Sequence, residues 1–218
     1  MASTLPRPIA ALLIAAVLLP TVLSLGGCDV IAYTASRFEG EEGPRDVAAQ
    51  YTGLTDQTVA VMVLTDESVR YRYPDAAYNL CLTMSRDIAQ NVAGVTTIDP
   101  EAVSTFQREN PYWSTVPPSR LIERYNVDRL VLVDVAEYRT REPGNAHLWK
   151  GVIDGSVSVY EAESADPDNR AFEQRVRAEF PQSGTFGLTE GDPQTIQIGM
   201  LKLFTDRAAG LFYDHQEP

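Results

Sequence analysis

Thr58-Val59-Ala60-Val61-Met62-Val63-Leu64 is a continuous apolar run, rich in valine and without a charged residue. A run of that length reads as a strand buried on both faces, the kind found inside a sheet covered by helices. A loop holding Tyr71, Arg72 and Tyr73 follows, from Thr65 to Pro74. Asp75 is placed to cap the next element. Ala77, Leu80, Cys81, Met84, Ile88 and Val92 then recur at spacings of three and four, which predicts an amphipathic helix. Val95–Ile98 reads as a short strand. Asp99-Pro100-Glu101 opens a second helix with a cap followed by proline at the first helical position.

Further along, Pro111–Pro118 (PYWSTVPP) reads as a rigid aromatic loop. Ser119–Tyr125 is a short helix, with Asn126 as its stop. Leu130–Val135 is a second fully apolar strand. The period then changes. Trp149, Ile153, Val157 and Val159 share one face of a strand over about 148–162, and Phe172, Val176, Ala178 and Phe180 share one face of the next. Alternation of this kind marks half-buried antiparallel strands. Ser164–Asn169 (SADPDN) is the turn between them. Asp192-Pro193 starts a last helix running to about Tyr213, with Ile196, Met200, Leu203, Phe204, Leu211 and Phe212 inward. The expected fold is α/β (α+β): a mixed β-sheet of about five strands flanked by helices, in the order βαβααβ, then ββ, then α.

Upstream of the domain, Met1–Gly27 has the parts of a secretory signal. Arg7 and the amino terminus supply positive charge, Ile9–Leu25 is apolar and uncharged, and Gly26 and Gly27 precede Cys28. The competing reading is an uncleaved membrane anchor. A span needs about 20 apolar residues, and this stretch is interrupted by Pro20 and ends in two glycines. Residues 28–57, with Ser36, Gly40, Glu41, Glu42, Gly43 and Pro44, show no sustained period and read as a flexible tether. The α/β domain is therefore expected over 58–218.

Leu25-Gly26-Gly27-Cys28 resembles the lipobox of bacterial lipoproteins. That resemblance implies cleavage before Cys28, diacylglycerol on its thiol and acyl chains such as palmitate. It also implies a periplasmic or external place in the cell envelope, held to the membrane by lipid. One acyl chain holds a protein only marginally, whereas two or three together hold it firmly. Asp29, in proteobacterial lipoproteins, tends to keep the product in the inner membrane.

The composition constrains partners. The chain has 218 residues and a formal charge of −12; loss of Arg7 with the signal leaves about −13. Such a surface repels nucleic acid and anionic lipid head groups, so no nucleic-acid partner is expected. Hydrophobic content of 44% suits a globular core that needs no disulfide. With Cys28 lipidated, Cys81 has no thiol to pair with inside the chain, and its position on the apolar face of a helix reads as a small buried hydrophobe.

No catalytic set emerges. His147 and His215 lack companions at metal-ligand spacing. Asp166, Asp168 and Asn169 resemble half of a calcium loop, but Pro167 interrupts them. Phosphate-binding glycine motifs are missing too. Neither a metal nor a cofactor is expected, and the chain does not read as an enzyme. The suggestive groups are aromatic: Tyr71, Tyr73, Tyr112 and Trp113, all in expected loops, are of the types that anchor protein interfaces. They could equally lid the core.

The whole pattern resembles a family of envelope domains that includes the curli-export lipoprotein, the activator lipoprotein of penicillin-binding proteins and the amino-terminal domain of TolB. The pieces that carry it are Val59–Leu64, the helix Ala76–Val92, Leu121–Asp128 leading into Leu130–Val135, and the strand around Gly151–Val157. The resemblance implies a non-enzymatic scaffold, activator or assembly subunit that contacts another envelope protein. A small-ligand or cell-wall glycan-binding module is the alternative.

Overall fold

The computed structural model describes residues 45–187 and 189–217. The signal, Cys28 and residues 29–44 of the expected tether lie outside the described residues. Val47–His215 forms one compact unit, and the described residues 45–46 and 216–217 fall outside it. Strand β1 (Arg45–Val47) pairs with β7 (His215–Glu217) in a small two-stranded sheet, and the Gln216 amide donates to Asp46 at 2.9 Å.

The larger unit is the expected mixed α/β fold. Its five-stranded sheet has the order β3-β2-β4-β5-β6. These are β2 (Thr58–Thr65), β3 (Thr96–Thr97), β4 (Arg129–Glu142), β5 (Asn145–Glu161) and β6 (Phe172–Phe180). β3, β2 and β4 run parallel; β4-β5 and β5-β6 are antiparallel. β2 and β4 enter the interior along most of β2's length, which explains why their runs are apolar at every position.

The helices are α1 (Glu67–Arg72), α2 (Ala76–Asn91), α3 (Pro100–Glu109), α4 (Pro118–Tyr125) and α5 (Pro193–Ala209). α2 packs on β2 and against α5, and α5 lies over β5 and β6. In the order β3-β2-β4 the crossover from β2 to β3 and that from β3 to β4 run in opposite directions, and the right-handed rule for such crossovers assigns α2 and the α3–α4 pair to opposite faces. A Cβ at Gly151 would meet Ile196 and Met200 of α5 at 2.8 Å, so the glycine lets the helix seat closely on β5.

Three expectations are corrected. Residues 65–74 are not all loop: Asp66 accepts from the Val69 amide at 2.7 Å and starts α1, whose first turn is acidic and last turn basic. Asp75 stands at the head of α2 but makes no side-chain cap, because its backbone is already helical. Residues 47–57 belong to the fold rather than to a tether. Leu54 is fully buried, and the Gln50 and Tyr51 amides both donate to the Leu211 carbonyl, at 2.8 and 3.0 Å. The Tyr51 hydroxyl donates to Glu161 at 2.6 Å, and Arg129, 6% exposed, donates to the Gly53 carbonyl and doubly to Glu163. Burial, then the Glu161 carboxylate, pushes the Tyr51 hydroxyl up to about 12.

Other starts and stops form as expected. Asp99 caps α3 and Asp192 caps α5 through backbone amides, and Asn126 ends α4 in the left-handed region at φ 49°. Pro117 cannot cap α4, so Asp168 from the β5–β6 turn accepts from the Ser119 amide at 2.8 Å. That bond holds its carboxyl below the usual range. The half calcium loop is thus a turn that caps a neighbouring helix.

Candidate functional site

β2 is followed by α2 on one face of the sheet, and its neighbour β3 by α3 on the other. A sheet that reverses in this way opens a crevice outside the carboxyl ends of its strands. A cleft of about 720 Å³ lies there. Its floor is Val63–Thr65, the end of β2; one wall holds Arg70, Pro74 and Tyr78, the other Ser104, Pro111 and Trp113. Gln107 of α3 fixes the floor by donating to the Val63 carbonyl at 3.1 Å. Glu101 and Arg108, also at the cleft, pair with each other at 3.0 Å.

The four aromatics singled out from sequence divide into two kinds. Tyr73 ends α1 with its amide on the Val69 carbonyl, lies 4.8 Å from the Tyr138 ring and shares a hydrogen bond with the Thr140 hydroxyl. Trp113, in a 3₁₀ turn, is 6% exposed and belongs to the core. Of these two, Trp113 lines the cleft and Tyr73 packs on β4. Tyr71 and Tyr112 are 89% and 82% exposed. Tyr71 is next to the lining residue Arg70, and Tyr112 lies between two lining residues, Pro111 and Trp113. Two segments far apart in sequence thus carry an exposed tyrosine next to a lining residue, though neither ring is part of the lining. Tyr112 also borders a second hollow of about 560 Å³, floored by Phe106 and Leu121, with the Arg124 guanidinium 4.1 Å above the Phe106 ring.

Sequence reasoning missed Arg70, Pro74, Tyr78, Ser104 and Pro111 as a group. The signal for them was the helix–strand–helix order on either side of β3, which places the crevice without any motif.

Other reactive groups are in structural roles. Cys81 is buried; its thiol donates to the Val61 carbonyl at 3.1 Å, and burial pushes it up to about 12. A thiol so placed carries no thiolate near neutrality. His147 is exposed, its amide held by Asn145. Among the described residues no cluster of three or more His, Cys, Asp or Glu is placed to hold a metal, and no helix is long and apolar enough to cross a membrane.

No protein-family model matches the chain, and no curated protein matches it. Solved structures share features of the fold. Lipoprotein GNA1162 from Neisseria meningitidis is 11% identical, with a TM-score of 0.44 over 65% of this chain and 90% of that one. The PelC dodecamer from Paraburkholderia phytofirmans is 10% identical, with a TM-score of 0.44 over 78% and 97%. The hypothetical protein CT253 from Chlamydia trachomatis is 12% identical, with a TM-score of 0.42 over 71% and 96%. A bacterial lipoprotein is thus among the structural neighbours. Likeness at this level says nothing of function.

Proposed function

We propose that the protein is a lipid-anchored subunit of the bacterial envelope, attached through Cys28, that binds another envelope protein and performs no catalysis itself. It serves as a scaffold, activator or assembly part. The observation that carries this is the pair of exposed tyrosines, Tyr71 and Tyr112, each next in sequence to a residue that lines the cleft beyond β2. Large exposed rings beside a concavity are the usual anchors of a protein interface. The polarity of the larger unit supports the reading. Residues 47–57 pack beside Arg129 and Glu161, at the amino ends of β2 and β4, whereas the cleft lies at the carboxyl end. Within the larger unit, the entering segment and the cleft are thus at opposite ends of the sheet. The resemblance to envelope scaffold and activator domains agrees with this.

The test is co-purification of the lipidated chain from detergent extract. A stoichiometric partner is expected, lost on joint Tyr71→Ala and Tyr112→Ala with the unfolding midpoint unchanged. Absence of a partner, or retention by the double variant, counts against the proposal. The cleft volume also falls in the range of small-molecule sites, about 300–1,000 Å³, which favours a small-ligand or glycan module as the second reading. Thermal stabilisation by cell-wall fragments, with no protein partner, would select it.

A further inference from the structure

We propose that the cleft receives a peptide segment of the partner and seats one carboxylate of that segment against Arg70. This rests on the partner-binding reading above and specifies its chemistry.

Charge is the first argument. The chain has 30 acidic and 18 basic residues, and about half of the arginines of the larger unit, seven of thirteen, are taken by that excess. Arg108, Arg120, Arg129, Arg139, Arg170, Arg175 and Arg177 all form ion pairs. Arg70, like Arg72, Arg86, Arg124, Arg141 and Arg207, forms none among the described residues; of these, Arg70 lines the cleft, with Asp66 one helical turn before it and Asp75 in the same lining. A guanidinium in that position is available for a bidentate carboxylate.

The rest of the lining limits what brings the carboxylate. Arg108 is occupied by Glu101, and Asp75 adds a negative charge. One available cation beside an acid suits a single carboxylate and repels a polyanion. Pro74, Pro111 and Tyr78 offer flat apolar surface, and the hydroxyls of Tyr78 and Ser104, both half-buried, make no hydrogen bond among the described residues. They can meet the donors and acceptors of an extended main chain. A sugar ring instead needs an open aromatic face. Trp113 shows only 6% of its surface, the ring of Tyr78 is half-buried, and the exposed rings of Tyr71 and Tyr112 are not part of the lining. The cleft is therefore better matched to a peptide than to a glycan.

The test is selection of a randomised eight-residue library against the full mature chain in detergent, and in parallel against Arg70→Glu. One display format leaves a free carboxyl terminus and one does not, which separates a chain-end carboxylate from an Asp or Glu side chain. With the native protein, peptides carrying a carboxylate at a fixed distance from an apolar or proline position are expected. Replacing that carboxylate by its amide should weaken binding by about ten- to a hundredfold, the scale of a hydrogen bond to a charged group. Arg70→Glu should reverse the preference toward Lys or Arg. Its unfolding midpoint should fall only slightly, since Arg70 is exposed in the last turn of α1. The proposal is overturned if selected peptides have no acidic position, if Arg70→Glu binds them equally, or if chitotetraose displaces them and binds more tightly. Should Arg70→Glu still retain the co-purified partner through Tyr71 and Tyr112, the cleft assignment fails while the partner-binding reading stands.

Discussion

Leu54→Ala is the sharpest probe of where the folded unit begins. The sequence around Leu54 is polar and aperiodic, yet its side chain is fully buried in the main core. The substitution removes three carbon atoms, worth about 2.4 kcal/mol at about 0.8 kcal/mol each. The residual cavity adds to this, and buried Leu→Ala changes span about 2.7–5.0 kcal/mol. Leu54 lies where the 47–57 segment joins the sheet, so neighbours can close in, and about 3 kcal/mol is expected. For a unit of about 170 residues, at about 2.1 cal/mol/K per residue, that lowers the melting temperature by roughly 8 °C. Urea unfolding of the mature chain, followed by far-ultraviolet circular dichroism, measures it, with exposed Thr52→Ala as the control within about 0.5 kcal/mol. A Leu54→Ala protein as stable as the control would refute the claim that residues 47–57 are part of the fold. A mobile tether requires that result.

Three further outcomes follow from the interior. Asp154, whose side chain is 4% exposed, accepts from Arg175 and Arg177, and these bonds hold its carboxyl below the usual range. Its stabilisation is whole above about pH 4 and is lost as pH falls through the lowered value; Asp154→Asn should cost about 1–2 kcal/mol at pH 7 and show a shallower loss in urea midpoint between pH 6 and pH 3. Cys81 is shifted the other way, from about 9 to about 12, so its stabilisation is whole below about pH 9 and fades above it. In the folded protein a thiol reagent at pH 8 should label Cys81 only at the global opening rate, and rapid labelling would contradict its burial. At Gly155 a Cβ would lie 2.5 Å from the Asp134 carbonyl, beside the irregularity where β4 shifts register past Val135; Gly155→Ala should cost about 1–3 kcal/mol, read as a lower urea midpoint.

What the sequence made legible was the part of the fold governed by periodicity. β2 and the apolar half of β4 read as strands because both faces are buried, and Asp99-Pro100 and Asp192-Pro193 read as helix starts because their caps are local. What escaped depends on distant partners. Leu54 and Tyr51 have no periodic neighbours; they are fixed by Arg129, Glu161 and Leu211. β4 extends to Glu142, beyond its apolar run, because Glu137 and Arg139 are satisfied by charges on the same sheet face. Of the four aromatics, residue type alone could not separate Tyr112 from Trp113. One residue along a 3₁₀ turn takes the side chain from 82% exposed to 6%. The short helix α1 had its signals in Asp66, Glu67, Arg70 and Arg72, and six residues gave no room for a period to show.

The sheet face opposite α5 makes a useful contrast with the cleft. There Asp154, Arg175, Arg177, Glu137, Arg139, Glu179 and Lys150 form one connected set of ion pairs, with Arg177 touching three carboxylates. Any partner lying on that face would strip water from charges already matched to one another, and it would gain little attraction in return. The side chains also cover Val152, which is fully buried beneath them. The set acts as a polar roof for a sheet face that has no helix over β5 and β6, and it discourages docking there. At the carboxyl end of β2 the situation differs: among the described residues Arg70 forms no ion pair and the hydroxyls of Tyr78 and Ser104 make no hydrogen bond, while Tyr71 and Tyr112, next in sequence to lining residues, are exposed. Seven of the other twelve arginines of the larger unit are in ion pairs, whereas Arg70 stands beside the cleft without one, which places a charge suited to recognition at one end of the sheet.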